Sequence, residues 1–145
     1  MKTMICGLAL LLVPVSLFAT QVTFKVKGLK NSKGVVWVGV YDSQENFLQR
    51  DKQVTDCSQL GEISEGSVDV VCELEPGRYG AAAFHDENVN KDLDRDFLGI
   101  PKEGFGFPND VTVKFAPPDF DEVLFSVGED DIELDINFQY IYGRN

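Results

Sequence analysis

The chain carries 24 acidic against 13 basic residues in 145, a formal net charge of −11 with its single histidine neutral. Such a surface repels nucleic acid and anionic lipid, which excludes both as partners. It suits a cation, a neutral ligand such as a carbohydrate, or a basic protein, and the length suits one domain with its own core.

In chain order, Lys2 precedes an almost unbroken apolar run over residues 5–13, closed by Pro14. This reads as a secretory signal peptide cleaved after Ala19. The run is shorter than the roughly 20 apolar residues of a membrane span. The expectation is an exported chain, periplasmic or extracellular. Residues 1–19 are removed, residues 20–145 form one domain, and nothing inserts in a membrane after cleavage. An oxidising compartment then makes a disulfide between Cys57 and Cys72 the expectation.

Val22, Phe24 and Val26 alternate with polar residues, the pattern of a half-buried strand. Residues 35–41 are β-branched and aromatic and predict a central strand that places Trp37 and Tyr41 in the core. Residues 43–58 give no clear pattern, and 44–52 fit either helical turns or a loop. Residues 67–74 alternate well, with Cys72 facing inward. The Glu75-Pro76-Gly77 turn leads into a strand over 78–84 whose Ala81-Ala82-Ala83 run implies close packing. Residues 86–121 form a long Gly- and Pro-rich excursion with too many apolar side chains to stay in water, among them Phe97, Leu98, Phe105, Phe107 and Phe115. It should pack on the domain, with a strand over 111–115. Strands follow at 122–127 and 132–140. About seven short strands and no long helix predict an all-β fold, a single β-sandwich with one long loop excursion.

The chemistry concentrates after the 78–84 strand. Asp86, Asn88, Asn90, Asp92, Asp94 and Asp96 place an oxygen donor at every second position. Ca²⁺ takes six to eight oxygens, and a divalent cation turns the mutual repulsion of such carboxylates into affinity. These six are the candidate metal ligands, with Glu103 and Asp110 as distant donors. Asp86, Asn88 and Asn90 match the first ligand positions of a helix-flanked Ca²⁺ loop. Lys91 stands where such loops have Gly, and Phe97 where they have Glu.

No catalytic residue is assigned. His85, the only histidine, is expected to be a strand-end residue hydrogen-bonded to the following loop, and no Ser or Cys lies in a nucleophile motif. A secreted hydrolase using His85 or a carboxylate pair is the enzymatic alternative. A binding groove near Phe105 and Phe107 would show solvent-facing rings, and a Ca²⁺-dependent carbohydrate-binding or adhesion module is the sharper form of that reading.

Several segments together carry a resemblance: Val26-Lys27-Gly28-Leu29, Leu74-Glu75-Pro76-Gly77-Arg78-Tyr79, His85-Asp86-Glu87-Asn88-Val89-Asn90, and the stretch from Phe97-Leu98-Gly99-Ile100-Pro101 to Gly106-Phe107. In these the chain resembles the bacterial domain-of-unknown-function 2141 family of exported proteins. The resemblance implies an exported single domain, an immunoglobulin-like or prealbumin-like sandwich, and no particular activity. The family pattern has Gly at the positions of Val89 and Lys91, and this chain departs from it at both.

Overall fold

The computed structural model describes residues 18–143. The signal-peptide reading of residues 1–19 therefore lies outside the described residues, apart from Phe18 and Ala19. Eight strands form: β1 (Thr20–Lys27), β2 (Val35–Tyr41), β3 (Thr55–Ser64), β4 (Ser67–Leu74), β5 (Gly77–Asp86), β6 (Phe105–Gly106), β7 (Leu124–Val127) and β8 (Ile132–Asn137). A single turn of 3-10 helix, Phe120–Val123, precedes β7.

The strands follow one hydrogen-bonded path, β6-β5-β2-β3-β4-β1-β8, with β7 on the free half of β5. The all-β expectation holds. The two sheets expected from the sequence are joined into one, because β3 pairs with β2 through residues 55–58 and with β4 through 59–64. The path then comes round on itself. Phe105 N–H donates to the Gln139 carbonyl at 3.1 Å, and Gln139 N–H to the Phe105 carbonyl at 2.8 Å. The result is nearly a barrel, which leaves little of the sheet's edge unpaired.

Strand alternation builds the interior. Val22, Phe24 and Val26 of β1 face Val36, Val38 and Val40 of β2, with Val70, Cys72, Ala81, Ala83 and Ile136 around them. The opposite face of β2 and β5 carries a second apolar cluster of Tyr41, Phe47, Phe105, Phe107, Phe120 and Val123. Tyr41 is thus buried, but outside the main core. Trp37 is only half-buried and also points outward. The long excursion returns over this outer cluster. Phe105, Phe107 and Phe120 pack there as expected, whereas Phe97 and Phe115 are 95% and 100% exposed.

Two local readings change. Residues 111–115 form no strand: the Val113 N–H bonds to the Gln139 side chain at 3.2 Å instead of to a ladder. Residues 44–52 are successive tight turns, with Phe47, Gln49 and Lys52 each donating to the carbonyl three residues earlier.

Cys57 and Cys72 lie across β3 and β4 with Cα atoms 5.7 Å apart, within the range a disulfide requires. The pair joins the crossing strand to the main core. Closing a loop of 15 residues stabilises a fold by about 3 kcal/mol in the chain-entropy model. Replacing both cysteines by alanine is expected to lower the urea-unfolding free energy by that amount. An unchanged midpoint, or an intact mass that reduction and alkylation leave unaltered, would refute the bond.

Candidate functional site

His85 is 0% exposed and both ring nitrogens are occupied. Nε2 lies 2.6 Å from the Lys33 carbonyl, which can only accept, so Nε2 carries the proton. In the neutral ring Nδ1 accepts from the Tyr140 hydroxyl at 3.1 Å, and that oxygen accepts the Lys30 N–H at 3.2 Å. The imidazole ties β5 to the turn before β2 and to the chain after β8, not to the acidic loop that follows it. No nitrogen is left to face a substrate. Gly34 completes this junction: at φ +71° a Cβ there would lie 1.9 Å from the Asp86 carbonyl oxygen.

The next residue anchors the acidic loop. Asp86 is 0% exposed, at the end of β5. Its Oδ1 accepts the Asn90 N–H at 3.0 Å. Its Oδ2 accepts the Lys91 N–H at 2.8 Å and the Trp37 indole N–H at 3.3 Å. One buried carboxylate therefore holds the loop's backbone against the sheet. Glu103 closes the other side, accepting the Glu87 N–H at 2.9 Å and the Asp94 N–H at 3.0 Å. Burial raises the Glu103 carboxyl above its ordinary value against the two N–H bonds, with Asp94 and Asp86 adding repulsion.

The six predicted ligands divide. Asn88 and Asn90 both aim their amide nitrogens at the Asp94 carboxylate, at 2.6 and 2.8 Å, so these three come together. Asp86 sits beneath them, committed to the backbone. Asp92 bonds to the adjacent Leu93 N–H. Asp96 belongs to the following turn, where it accepts the N–H groups of Leu98 and Ile100 at 2.8 and 2.9 Å and the Tyr142 hydroxyl. The Tyr142 bond, then the two N–H bonds, hold the Asp96 carboxyl below its usual range. Of the distant donors, Glu103 enters the loop through its backbone bonds, and Asp110 is bonded to the Asn137 amide. Among the described residues no three His, Cys, Asp or Glu side chains group as a metal centre.

Two residues in the loop carry a left-handed backbone: Val89 at φ +59° and Lys91 at φ +64°. A β-branched residue there is a genuine outlier, and the left-handed region costs an L-residue about 1–2 kcal/mol. Val89→Gly relieves this cost, less the roughly 0.5–1 kcal/mol of extra chain entropy that glycine loses on folding. A net stabilisation of about 0.5–1 kcal/mol is expected in urea unfolding. Lys91→Gly should gain less, because it also removes an ammonium lying 5.8 Å from the Trp37 ring. Loss of stability in Val89→Gly would show that this turn is misdescribed.

The acidic loop also forms one wall of a groove of about 530 Å³ on the outer face of β2 and β5. Leu93, Arg95, Ile100 and Pro101 line it, together with Leu48, Arg50, Gln53, Asp56 and Phe115. Phe105 and Phe107 line it too, but each is only 6% exposed. They are packed into the outer apolar cluster and are not solvent-facing rings. The exposed aromatics of this region are Phe97 and Phe115. The groove expected from the sequence, with Phe105 and Phe107 facing solvent, is therefore not formed, because both rings pack into the outer apolar cluster. The hollow that is present has Arg50 and Asp56 in its lining, and these lie in the stretch with no legible pattern.

A family model described as an uncharacterized protein conserved in bacteria (DUF2141) matches residues 24–135. No curated protein and no solved structure matches the chain.

Proposed function

We propose that this chain, which belongs to the bacterial family DUF2141, is an exported, non-catalytic binding module. Its acidic loop is a clasp that holds one wall of the outer-face groove, and Ca²⁺ tightens the clasp. The groove carries this reading. It combines an apolar floor with a few polar side chains, the usual make-up of a small-molecule site. The non-catalytic part is supported by His85, whose two nitrogens are both engaged in structural hydrogen bonds. Export is supported by the leader-like start of the sequence and by the disulfide spacing of Cys57 and Cys72.

The support for Ca²⁺ is the convergence of Asn88, Asn90 and Asp94. Which end of an amide is oxygen is an assignment made from its surroundings. With both amides turned, two carbonyl oxygens face the Asp94 carboxylate. Turning them breaks the bonds that Asn88 Oδ1 and Asn90 Oδ1 accept from the N–H groups of Asn90 and Asp92, at 3.2 and 2.9 Å. The cation therefore competes with the loop's own hydrogen bonds, and affinity in the millimolar range of extracellular modules is expected.

For a dissociation constant near 1 mM, about 10 mM Ca²⁺ stabilises the folded state by about 1.4 kcal/mol. Thermal melts should show a rise of several degrees over a chelator control, absent in Asp94→Ala. An unchanged melting temperature in the parent chain would reject the cation.

A further inference from the structure

We propose that the groove takes a small amphipathic molecule with an apolar body and a single anionic head, most simply a carboxylate, held by Arg50. This rests on the reading of the groove as the binding surface.

The register explains the hollow. Gly39 of β2 pairs with Asp56 of β3 on one side and with Ala82 of β5 on the other. Residues paired across strands share a face, so this row runs Asp56, Gly39, Ala82 along the outer surface. Its middle members carry no side chain and a single methyl. On the neighbouring rows Tyr41 and Phe84 stand up on either side. Nothing large grows from this row, and the volume of the depression falls in the range of small-molecule pockets.

Polar groups gather beside Gly39. A Cβ on Gly39 would lie 2.6 Å from the Gln53 amide oxygen and 3.1 Å from the Tyr41 hydroxyl, so these two occupy the space glycine leaves. The Arg50 guanidinium lies 5.0 Å from the centre of the Phe84 ring. Its contact with Asp56 is long, 3.6 Å, and both side chains are about one-third exposed, a geometry worth little. Among the described residues the Arg50 side chain makes no hydrogen bond, and Arg50 is one of the residues that line the groove. A carboxylate is the group that a guanidinium's planar fork binds in two-point fashion.

Charge points the same way. The lining carries Arg50, Arg95 and Lys114 against Asp56 and Asp92, a basic excess on a chain with 24 acidic and 13 basic residues. The chain's net charge of −11 disfavours anions, and the charge of this lining has the opposite sign. The apolar body lies over Phe84, Phe105 and Phe107, under the fully exposed Phe115 ring.

The test uses the purified chain and the neutral fluorescent dye N-phenyl-1-naphthylamine as reporter, displaced by decanoate or decanol. Decanoate should displace the dye at a concentration at least about 10-fold lower than decanol, the equivalent of one charge-assisted pair. Arg50→Met should erase that preference while leaving decanol unchanged, and Arg50→Gln serves if the Met variant does not fold. Ala82→Trp, which fills the floor, should abolish displacement by both. Equal displacement by decanoate and decanol in the parent chain would overturn the anionic head and leave the groove as a binding surface. No dye binding in the parent chain would overturn the groove, and the proposal with it.

Discussion

His85→Ala is expected to cost about 3–5 kcal/mol of folding free energy. Truncating a buried ring of this size leaves a cavity whose lining relaxes only in part. It also leaves the buried Tyr140 hydroxyl without its His85 partner, at a cost of about 1–3 kcal/mol, while the Lys33 carbonyl, on an exposed residue, regains water at a smaller cost. The loss should appear in urea unfolding as a lowered midpoint at unchanged slope. Tyr140→Phe separates the components. It retains the ring and removes only the hydroxyl between Lys30 and His85, so about 1–2 kcal/mol is expected. A residue held for catalysis behaves in the opposite way, because its removal leaves stability intact. If His85→Ala melts like the parent chain, the imidazole is not the structural tie described here, and the hydrolase reading regains its best candidate.

Asp86→Ala is the second large effect, at about 3–4 kcal/mol. Three N–H donors, from Asn90, Lys91 and Trp37, lose one buried acceptor. Bonds to an ionised group contribute about 1.5–3 kcal/mol each, and partial rehydration of the two loop amides returns some of the sum. Asp86→Asn preserves the shape but turns an NH₂ group toward donors, so it should recover only part of the loss. Asp92→Ala is the internal control. That side chain is exposed and bonds only to its neighbour, so a change of about 0.5 kcal/mol or less is expected. Equal effects at positions 86 and 92 would mean that the loop is a solvated acidic turn with no anchor.

The contrast between those two aspartates shows how far the sequence could be read. Evenly spaced oxygen donors were visible in the sequence. Their division of labour was not, because it depends on where backbone N–H groups point once the chain has turned at Val89 and Lys91. Glu103 illustrates the same limit: it reaches back 16 residues to Glu87, a pairing no local spacing encodes. Strands β1, β2, β4, β5 and β8 were legible because each alternates or is apolar throughout. Strand β3 was not. Its inward positions carry Cys57, Gln59 and Ile63, and Leu60 is exposed, so its apolar signal is faint. A covalent pairing with Cys72 and the Gln59 side chain, which accepts the Val36 N–H at 2.8 Å, hold it in place of a hydrophobic stripe. Missing β3 is what made two separate sheets the natural expectation, since it is the strand that joins them. The groove went unseen for a related reason: its floor is a row of small residues contributed by three strands, which only the register assembles.

Amide hydrogen exchange in the absence of Ca²⁺ tests the central claim, that buried carboxylates hold the acidic loop as a fixed wall of the groove. The N–H groups of Asn90 and Lys91 on Asp86, and of Glu87 and Asp94 on Glu103, should exchange at least about 100-fold more slowly than in an unstructured chain. Exchange of all four at unstructured rates would contradict the account, because a loop that opens freely is no wall for a binding site.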